Sequence, residues 1–294
     1  MERVRQITRV NEAHKLGYIG NNVTVAVMDT GIGTHIDFGQ RIRGFRDYVG
    51  DKKILYDDNG HGTHVSGIIA GSGFASHGRY RGMAPGAAIY AIKVLDRMGK
   101  GNTRLVVSAL KWLISNYEKM NIRILNISVG MLASARREEQ EELLAAIEAV
   151  WDAGIVVVAA AGNNGPKDKS ITIPGLCRKI ITVGSSDDEE GEAKNLGLMR
   201  GYSGRGPTEA CIMKPEVVAP GTAIVSCKRM GNGYEMKSGT SMATPVVAVA
   251  VLLSRYPNLK PAEVKLRLYE TSVDTGKSKH AQGWGRLDVM QLIR

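Results

Sequence analysis

The chain has 294 residues, of which 43% are apolar, and it carries a formal net charge of +10 at pH 7. This length suits one large α/β domain or two small ones, and the apolar fraction is enough for a full core. Only 5% of the residues are aromatic and the longest basic runs are pairs, which argues against nucleic-acid binding. The longest strongly apolar run, residues 155–161, is too short to cross a bilayer, so we expect no membrane partner.

Short apolar runs alternate with amphipathic stretches along the chain. Residues 23–28, 88–94, 122–127, 155–160 and 180–183 are predicted as buried strands. Apolar residues at helical spacing predict helices over residues 102–116, 138–153 and 260–270, the last with Pro261 near its first position. This alternation predicts an α/β fold, with a mostly parallel central sheet and helices on both faces.

The cysteines and the first residues of the chain indicate where in the cell the protein is expected. Cys177, Cys211 and Cys227 form a small, odd set without a disulfide framework, which is typical of reduced thiols in a cytoplasm. The first six residues contain no apolar signal core. We therefore expect a cytoplasmic protein without a signal peptide.

Two polar residues lie next to apolar segments at positions that are typical of catalytic residues. Asp29 ends the first buried strand, where open α/β sheets place their active sites, although an aspartate there can also be a turn residue or a helix cap. His61 precedes the apolar residues 65–70, which predict a helix. His61 and His64 could also form a zinc pair, but the glutamate of a His-Glu-x-x-His motif and a third ligand are missing.

Two further residues complete the set of candidates. Ser241 lies in a Gly-Thr-Ser-Met-Ala-Thr-Pro segment, at the start of an apolar helix predicted over residues 241–254. Alone, this serine could be a helix cap. Asn163 follows a buried strand in an Ala-Gly-Asn-Asn-Gly segment and could equally sit in a turn, for which Asn164 is the better candidate.

Residues 25–31, 59–65 and 239–245, in this order, closely resemble the subtilisin-like serine proteases, the subtilase family. The resemblance covers residues 17–292, and residues 71–80 and 151–154 are most similar to the intracellular AprX-type branch. It implies one subtilisin-like peptidase domain over residues 1–294, with no room before Asp29 for a long pro-domain.

The resemblance also implies a role for each candidate. Ser241 is the expected nucleophile, and His61 is the base that accepts its proton and later returns it to the leaving amine. Asp29 orients His61, and Asn163 donates to the oxyanion. The expected activity is broad-specificity hydrolysis of proteins and peptides inside the cell, with the oligomeric state left open.

An extended substrate should pair with two segments that resemble the family's substrate-binding strands. The expected substrate-binding residues are Gly99, Lys100 and Gly101 on one side, and Ser128, Val129, Gly130, Ala161 and Gly162 on the other. Alone, each segment would be only a strand or a glycine turn. Thr172 and Met131 stand where the family often has glycine, so the preference for the residue before the cleaved bond (P1) does not carry over.

No cofactor is expected to be required. Residues 71–81 lack the family's calcium-loop sequence, and only Asp37 matches a carboxylate ligand. We therefore expect that the strong calcium site of the family is absent, although a weaker calcium site is possible.

Two other classes of function fit the sequence less well. A catalytically silent subtilase fold would usually lack a reaction-centre residue, whereas this chain keeps all four candidates. An α/β-hydrolase would carry Gly-x-Ser-x-Gly and the order serine, acid, histidine; here the second glycine is missing and the order is reversed.

Overall fold

The computed structural model describes residues 1–128, 130, 136–189, 201–247 and 249–294. Its centre is a seven-stranded sheet in the order β2-β3-β1-β4-β5-β6-β7, in which each pair of neighbours is parallel. The strands are β1 (Thr24–Asp29), β2 (Ile42–Asp47), β3 (Ala88–Lys93), β4 (Ile122–Ile127), β5 (Val156–Ala160), β6 (Ile181–Ser185) and β7 (Val217–Ala219). A separate antiparallel pair consists of β8 (Ile224–Cys227) and β9 (Tyr234–Lys237).

Ten helices lie in the described parts of the chain. They are α1 (Glu2–Ile7), α2 (Val10–Lys15), α3 (His61–Ala70), α4 (Thr103–Asn116), α5 (Arg137–Asp152), α6 (Thr240–Ala243), α7 (Val249–Arg255), α8 (Pro261–Thr271), α9 (Lys279–Gln282) and α10 (Val289–Leu292). The predicted fold class, an α/β domain with a mostly parallel sheet flanked by helices, is confirmed. None of the described helices is long and apolar enough to cross a bilayer.

The core explains why most strands were evident in the sequence. Every residue of β1, β5 and β6 is buried, so these strands are covered on both faces, and β1 and β5 contain the continuous apolar runs 25–28 and 156–160. The edge strand β2 was missed because it is half-exposed and carries charged residues. The strand β7 was missed because it has only three residues.

The helix predicted over residues 241–254 is wrong as a single element. The helix α6 ends at Ala243, a 3₁₀ turn covers Thr244–Val246, and α7 begins at Val249. Pro245 has no N–H to donate within a helix and its ring crowds the preceding turn, so the helical hydrogen-bond ladder cannot continue through it. Val247 is extended, with φ −65° and ψ 92°. Ser241 nevertheless lies in the first turn of α6, as expected.

Candidate active site

Asp29 and His61 meet at the carboxyl end of β1. Asp29 is the last residue of this strand and is fully buried, and His61 is the first residue of α3. The two carboxylate oxygens of Asp29 lie 2.8 and 2.9 Å from His61 Nδ1. Because a carboxylate only accepts hydrogen bonds, Nδ1 carries the proton in this contact and neutral His61 presents an unprotonated Nε2.

A glycine and an aspartate let α3 approach β1 this closely. A Cβ added at Gly62 would collide with the carbonyl oxygen of Gly31. Asp57 accepts hydrogen bonds from the Gly60 N–H at 2.7 Å and from the Thr30 hydroxyl at 2.9 Å. It therefore ties the start of α3 to the end of β1. Asp57 is not among the residues predicted from the sequence, although its position just before the Asn-Gly-His segment is a usable signal.

The electrostatic surroundings of His61 favour its protonated form. Burial opposes a charge on the ring, but the charge and hydrogen bond of Asp29 outweigh it and raise the pKa of His61 above its ordinary value. The positive charge of Lys237 lowers the pKa of His61, and the negative charge of Asp57 raises it together with Asp29. The His61 side chain keeps 24% of its surface exposed, so it can reach a bound substrate.

The raised pKa of His61 predicts how kcat/KM falls at acidic pH. Only neutral His61 can accept a proton, and an unperturbed histidine titrates near ~6.5. Since the pKa is raised, protonation persists to higher pH, and kcat/KM should fall with one proton as the pH drops through a midpoint above that value. Circular dichroism over the same range serves as the folding control. A profile that stays flat while the protein remains folded would contradict a histidine base.

Asn163 is held in a defined orientation by Thr240. The Asn163 Oδ1 atom accepts hydrogen bonds from the Thr240 N–H at 2.9 Å and from the Thr240 hydroxyl at 3.0 Å. The same hydroxyl accepts a hydrogen bond from the Gly162 N–H at 3.1 Å. With Oδ1 engaged, the Nδ2 amide group is left to donate toward the cavity that Asn163 shares with Ser241.

Two cavities adjoin Ser241. The larger has a volume of about 560 Å³ and extends between residues 162–176 and Gly130. The smaller has about 410 Å³ and is lined by His61, Asn163, Met236, Lys237, Ser238, Ser241 and Met242. Asn163 and Ser241 line both cavities, so they lie at the boundary between them. The three residues His61, Asn163 and Ser241 are thus brought to one place.

The expected substrate-binding residues near Ser241 are only partly at the cavity surface. Gly130 and Gly162 line the larger cavity. Ser128 and Ala161 are fully buried and are not among the residues that line it, and the Ala161 carbonyl accepts a hydrogen bond from the Thr172 N–H at 3.0 Å. Val129 lies outside the described residues, as does Met131.

The opposite expected segment forms an exposed turn. Leu95 and Gly101 form an isolated bridge, and the Asp96 side chain accepts a hydrogen bond from the Lys100 N–H at 2.9 Å. Gly99 and Lys100 are exposed at the tip of this turn. Gly99, Lys100 and Gly101 line neither of the two cavities beside Ser241, and their role in binding substrate stays a prediction.

Thr172 lines the larger cavity beside its two glycines. A Cβ added at Gly130 would lie 2.8 Å from Thr172 Oγ1, and one added at Gly162 would collide with the same oxygen. The threonine side chain therefore fills the space between these two glycines. The cavity is also lined by Lys169, Ser170, Ile171, Ile173 and Leu176, which the sequence analysis did not single out because only the fold brings them beside Ser241.

The zinc alternative for His61 and His64 has no support in the geometry. His64 is buried, and its Nε2 lies 3.0 Å from the Ile224 carbonyl and 3.1 Å from the Glu235 carbonyl. Burial lowers the pKa of His64 to about 3, so this ring is neutral and joins α3 to the β8–β9 pair. In the described ranges, three ligand-type side chains converge only at His35, Asp37 and Cys227.

The comparison with known families agrees with this geometry. The model of the subtilase family matches residues 20–285, which includes Asp29, His61, Asn163 and Ser241. The chain belongs to the subtilase family. Among characterised subtilases, serine protease AprX of Bacillus subtilis (strain 168) is 41% identical over 286 residues, covering 90% of this chain. The chain spans 64% of the length of that relative.

Other subtilases match over nearly their whole length. Subtilisin DY of Bacillus licheniformis is 34% identical, with 96% of this chain and 95% of that protein covered. The solved structure of Sphericase has a TM-score of 0.77 and 28% identity, with 92% of each chain covered. The architecture described above is therefore that of a subtilase domain.

Proposed function

We propose that this subtilase is a serine endopeptidase that cleaves peptide bonds through an acyl-enzyme. The observation that carries the proposal is the convergence of His61, Asn163 and Ser241 around one cavity, with Asp29 held against His61. A hydrolase needs a nucleophile, a base and an oxyanion donor within reach of one carbonyl, and these residue types supply all three. The names of its relatives, which include a serine protease and subtilisins, favour the same activity.

In the proposed first step, the Ser241 hydroxyl attacks the carbonyl carbon while His61 Nε2 takes its proton. The Asp29 carboxylate stabilises the resulting imidazolium through Nδ1. The Asn163 Nδ2 group donates to the oxyanion of the tetrahedral intermediate. His61 then gives the proton to the departing amine, the C–N bond breaks, and the acyl group remains on Ser241. Water, deprotonated by His61, releases the acid and restores the serine.

Replacement of Asn163 by alanine should lower kcat while changing KM little, because the donor acts mainly on the transition state. The expected loss is about 10²–10³ in kcat, a range taken from a subtilisin rather than from this chain. Steady-state kinetics on one peptide, with Asn164→Ala as the neighbouring control, measure it. A loss that resides only in KM would contradict the proposed role.

We propose that the larger cavity receives the P1 side chain, with the substrate backbone extended along Gly130 and Gly162. Both glycines line this cavity, and no side chain at either position stands between their backbone and a bound peptide. Main-chain pairing of this kind depends little on sequence, which supports broad specificity. Thr172 beside the two glycines favours P1 side chains that do not reach deep into the cavity.

We propose that activity requires no metal ion, because the residues at the family's calcium position do not fit one. The buried Asp37 carboxylate already accepts hydrogen bonds from the Gly73 N–H at 3.1 Å and the Tyr234 hydroxyl at 2.8 Å. The Arg5 guanidinium donates to the Arg81 carbonyl at 2.7 Å and to two neighbouring carbonyls of the same loop. Internal donors thus occupy the oxygens that a cation would need.

Digestion of an unstructured protein, followed by mass spectrometry of the fragments, tests the endopeptidase proposal. We expect internal cleavages at many sequence positions and no cleavage by a Ser241→Ala preparation purified in parallel. Products that arise only by stepwise removal of terminal residues would contradict an endopeptidase. Retention of full activity without Ser241 would contradict the mechanism. The low aromatic content, 5% of the residues, and basic runs no longer than pairs favour proteins and peptides over nucleic acids as partners.

A further inference from the structure

The smaller cavity lies on the side of the cleaved bond from which the leaving group departs, and this assignment rests on the proposed function. His61 lines the smaller cavity and not the larger one. Since His61 delivers the proton to the departing amine, the residues after the cleaved bond (P1′ and P2′) must pass beside it. Met236, Lys237 and Ser238 line the same cavity, so they face this part of the substrate.

Lys237 is the cationic side chain of that cavity lining. It is the last residue of β9, and the backbone leads from it through Ser238 directly to the segment that carries Ser241. The Lys237 side chain is 28% exposed, and its Nζ lies 3.3 Å from Glu235 Oε1, on a side chain that is 29% exposed. A half-exposed ion pair of this kind is weak, so the ammonium group stays available to another anion.

The acidic groups on the other side of His61 are already engaged. Asp29 is fully buried, and both of its oxygens are directed at His61. Asp57 accepts hydrogen bonds from Thr30, Gly60 and the start of α3. Neither carboxylate is among the described residues that line the smaller cavity, so a substrate there meets the ammonium group of Lys237, whose acidic neighbour is Glu235.

We propose that Lys237 recognises an acidic side chain at P1′ or P2′ and so makes this peptidase prefer cleavage before acidic residues. A lysine ammonium on a flexible stem can pair with a carboxylate of either residue as the peptide passes His61. Because the contact is partly exposed, its strength falls as salt is added.

Internally quenched peptides test the proposal. Their residues before the cleaved bond are kept constant, and their P1′ and P2′ residues are varied. The native protein should show kcat/KM about two- to fivefold higher for Asp or Glu than for the matching Asn or Gln at low salt, with the difference shrinking at high salt. Lys237→Glu should reverse the preference toward Lys or Arg. Glu235→Gln, which removes the competing carboxylate, should increase the preference for acidic residues.

Lys119→Glu is the matched control. Lys119 is exposed just before β4, near the amino ends of the strands and so opposite to Asp29, and its replacement changes the net charge by the same amount. This variant should keep the native preference. An unchanged P1′ and P2′ profile in Lys237→Glu, or an equal change in Lys119→Glu, would overturn the inference while leaving the endopeptidase proposal intact. Failure of the native protein to cleave any peptide would instead overturn the proposed function.

A second readout separates recognition from a merely structural role. The charge of Lys237 lowers the pKa of His61, against the larger effect of Asp29 and the smaller one of Asp57. The neighbouring His64 is neutral and carries no charge to oppose this. Lys237→Met should therefore move the acid limb of kcat/KM to higher pH. An acid limb that does not move in Lys237→Met would contradict the placement of this ammonium group beside the reaction centre.

Discussion

Replacement of Ser241 by alanine is expected to lower kcat by about 10⁶, the magnitude found for this kind of change in a subtilisin. Alanine keeps the fold of α6 but removes the oxygen that forms the acyl-enzyme, so only the oxyanion donor and substrate binding remain. Steady-state hydrolysis of a chromogenic peptide, with active enzyme counted by titration, measures the loss.

Ser238→Ala is the control for Ser241→Ala. Ser238 lines the same cavity three residues earlier, and its hydroxyl accepts a hydrogen bond from the Ala223 N–H at 2.8 Å. Its loss should affect local structure and lower kcat far less than the loss of Ser241. Comparable losses in the two variants would mean that the serine hydroxyl of Ser241 has no special role.

Replacement of Asp29 by asparagine is expected to lower kcat by about 10⁴ at neutral pH. The amide is nearly isosteric, but it lacks the charge that stabilises the imidazolium and can turn its NH₂ group toward His61 Nδ1. This reverses the tautomer and leaves Nε2 protonated, so His61 can no longer accept the proton of Ser241. The kcat of the purified variant, with its melting temperature, gives the result.

Asp37→Asn provides the matched comparison for Asp29→Asn. Asp37 is also fully buried and also accepts several hydrogen bonds, but it lies away from His61. We expect it to lower the melting temperature while the folded fraction keeps most of its kcat. If Asp29→Asn behaved in the same way, Asp29 would be a structural residue and not the partner of a catalytic histidine.

The sequence predicted the fold because buried strands have a local signature, whereas the four candidate site residues were assigned from the resemblance of their motifs to the subtilases. Asp29 ends one strand that is buried on both faces and Asn163 follows another, and the apolar runs within such strands are evident in the sequence. His61 begins the helix α3 and Ser241 lies in the first turn of α6, positions that alone also suit structural residues. The break in the helix after Ala243 could also be predicted from the sequence, because the proline that interrupts the helical hydrogen bonds is part of the motif itself.

The residues that the sequence did not reveal act through contacts between distant segments. Thr240 holds Asn163 across 77 positions of the chain. Lys237 comes beside His61 only because β9 pairs with β8 and returns the chain to α3. A lone lysine before a glycine-rich motif has no periodic or spacing signature, so only the three-dimensional arrangement shows its place in the cavity.

The central claim is that Ser241 is the nucleophile of a functioning catalytic centre, and covalent labelling tests it most directly. A fluorophosphonate probe reacts with a serine only when a base removes its proton and an oxyanion donor stabilises the adduct. After labelling, digestion and mass spectrometry should find one modified peptide, with the adduct on Ser241, and labelling should fail in Ser241→Ala and slow strongly in Asp29→Asn. An adduct on another serine, or peptide hydrolysis by a protein that the probe does not label, would contradict the account.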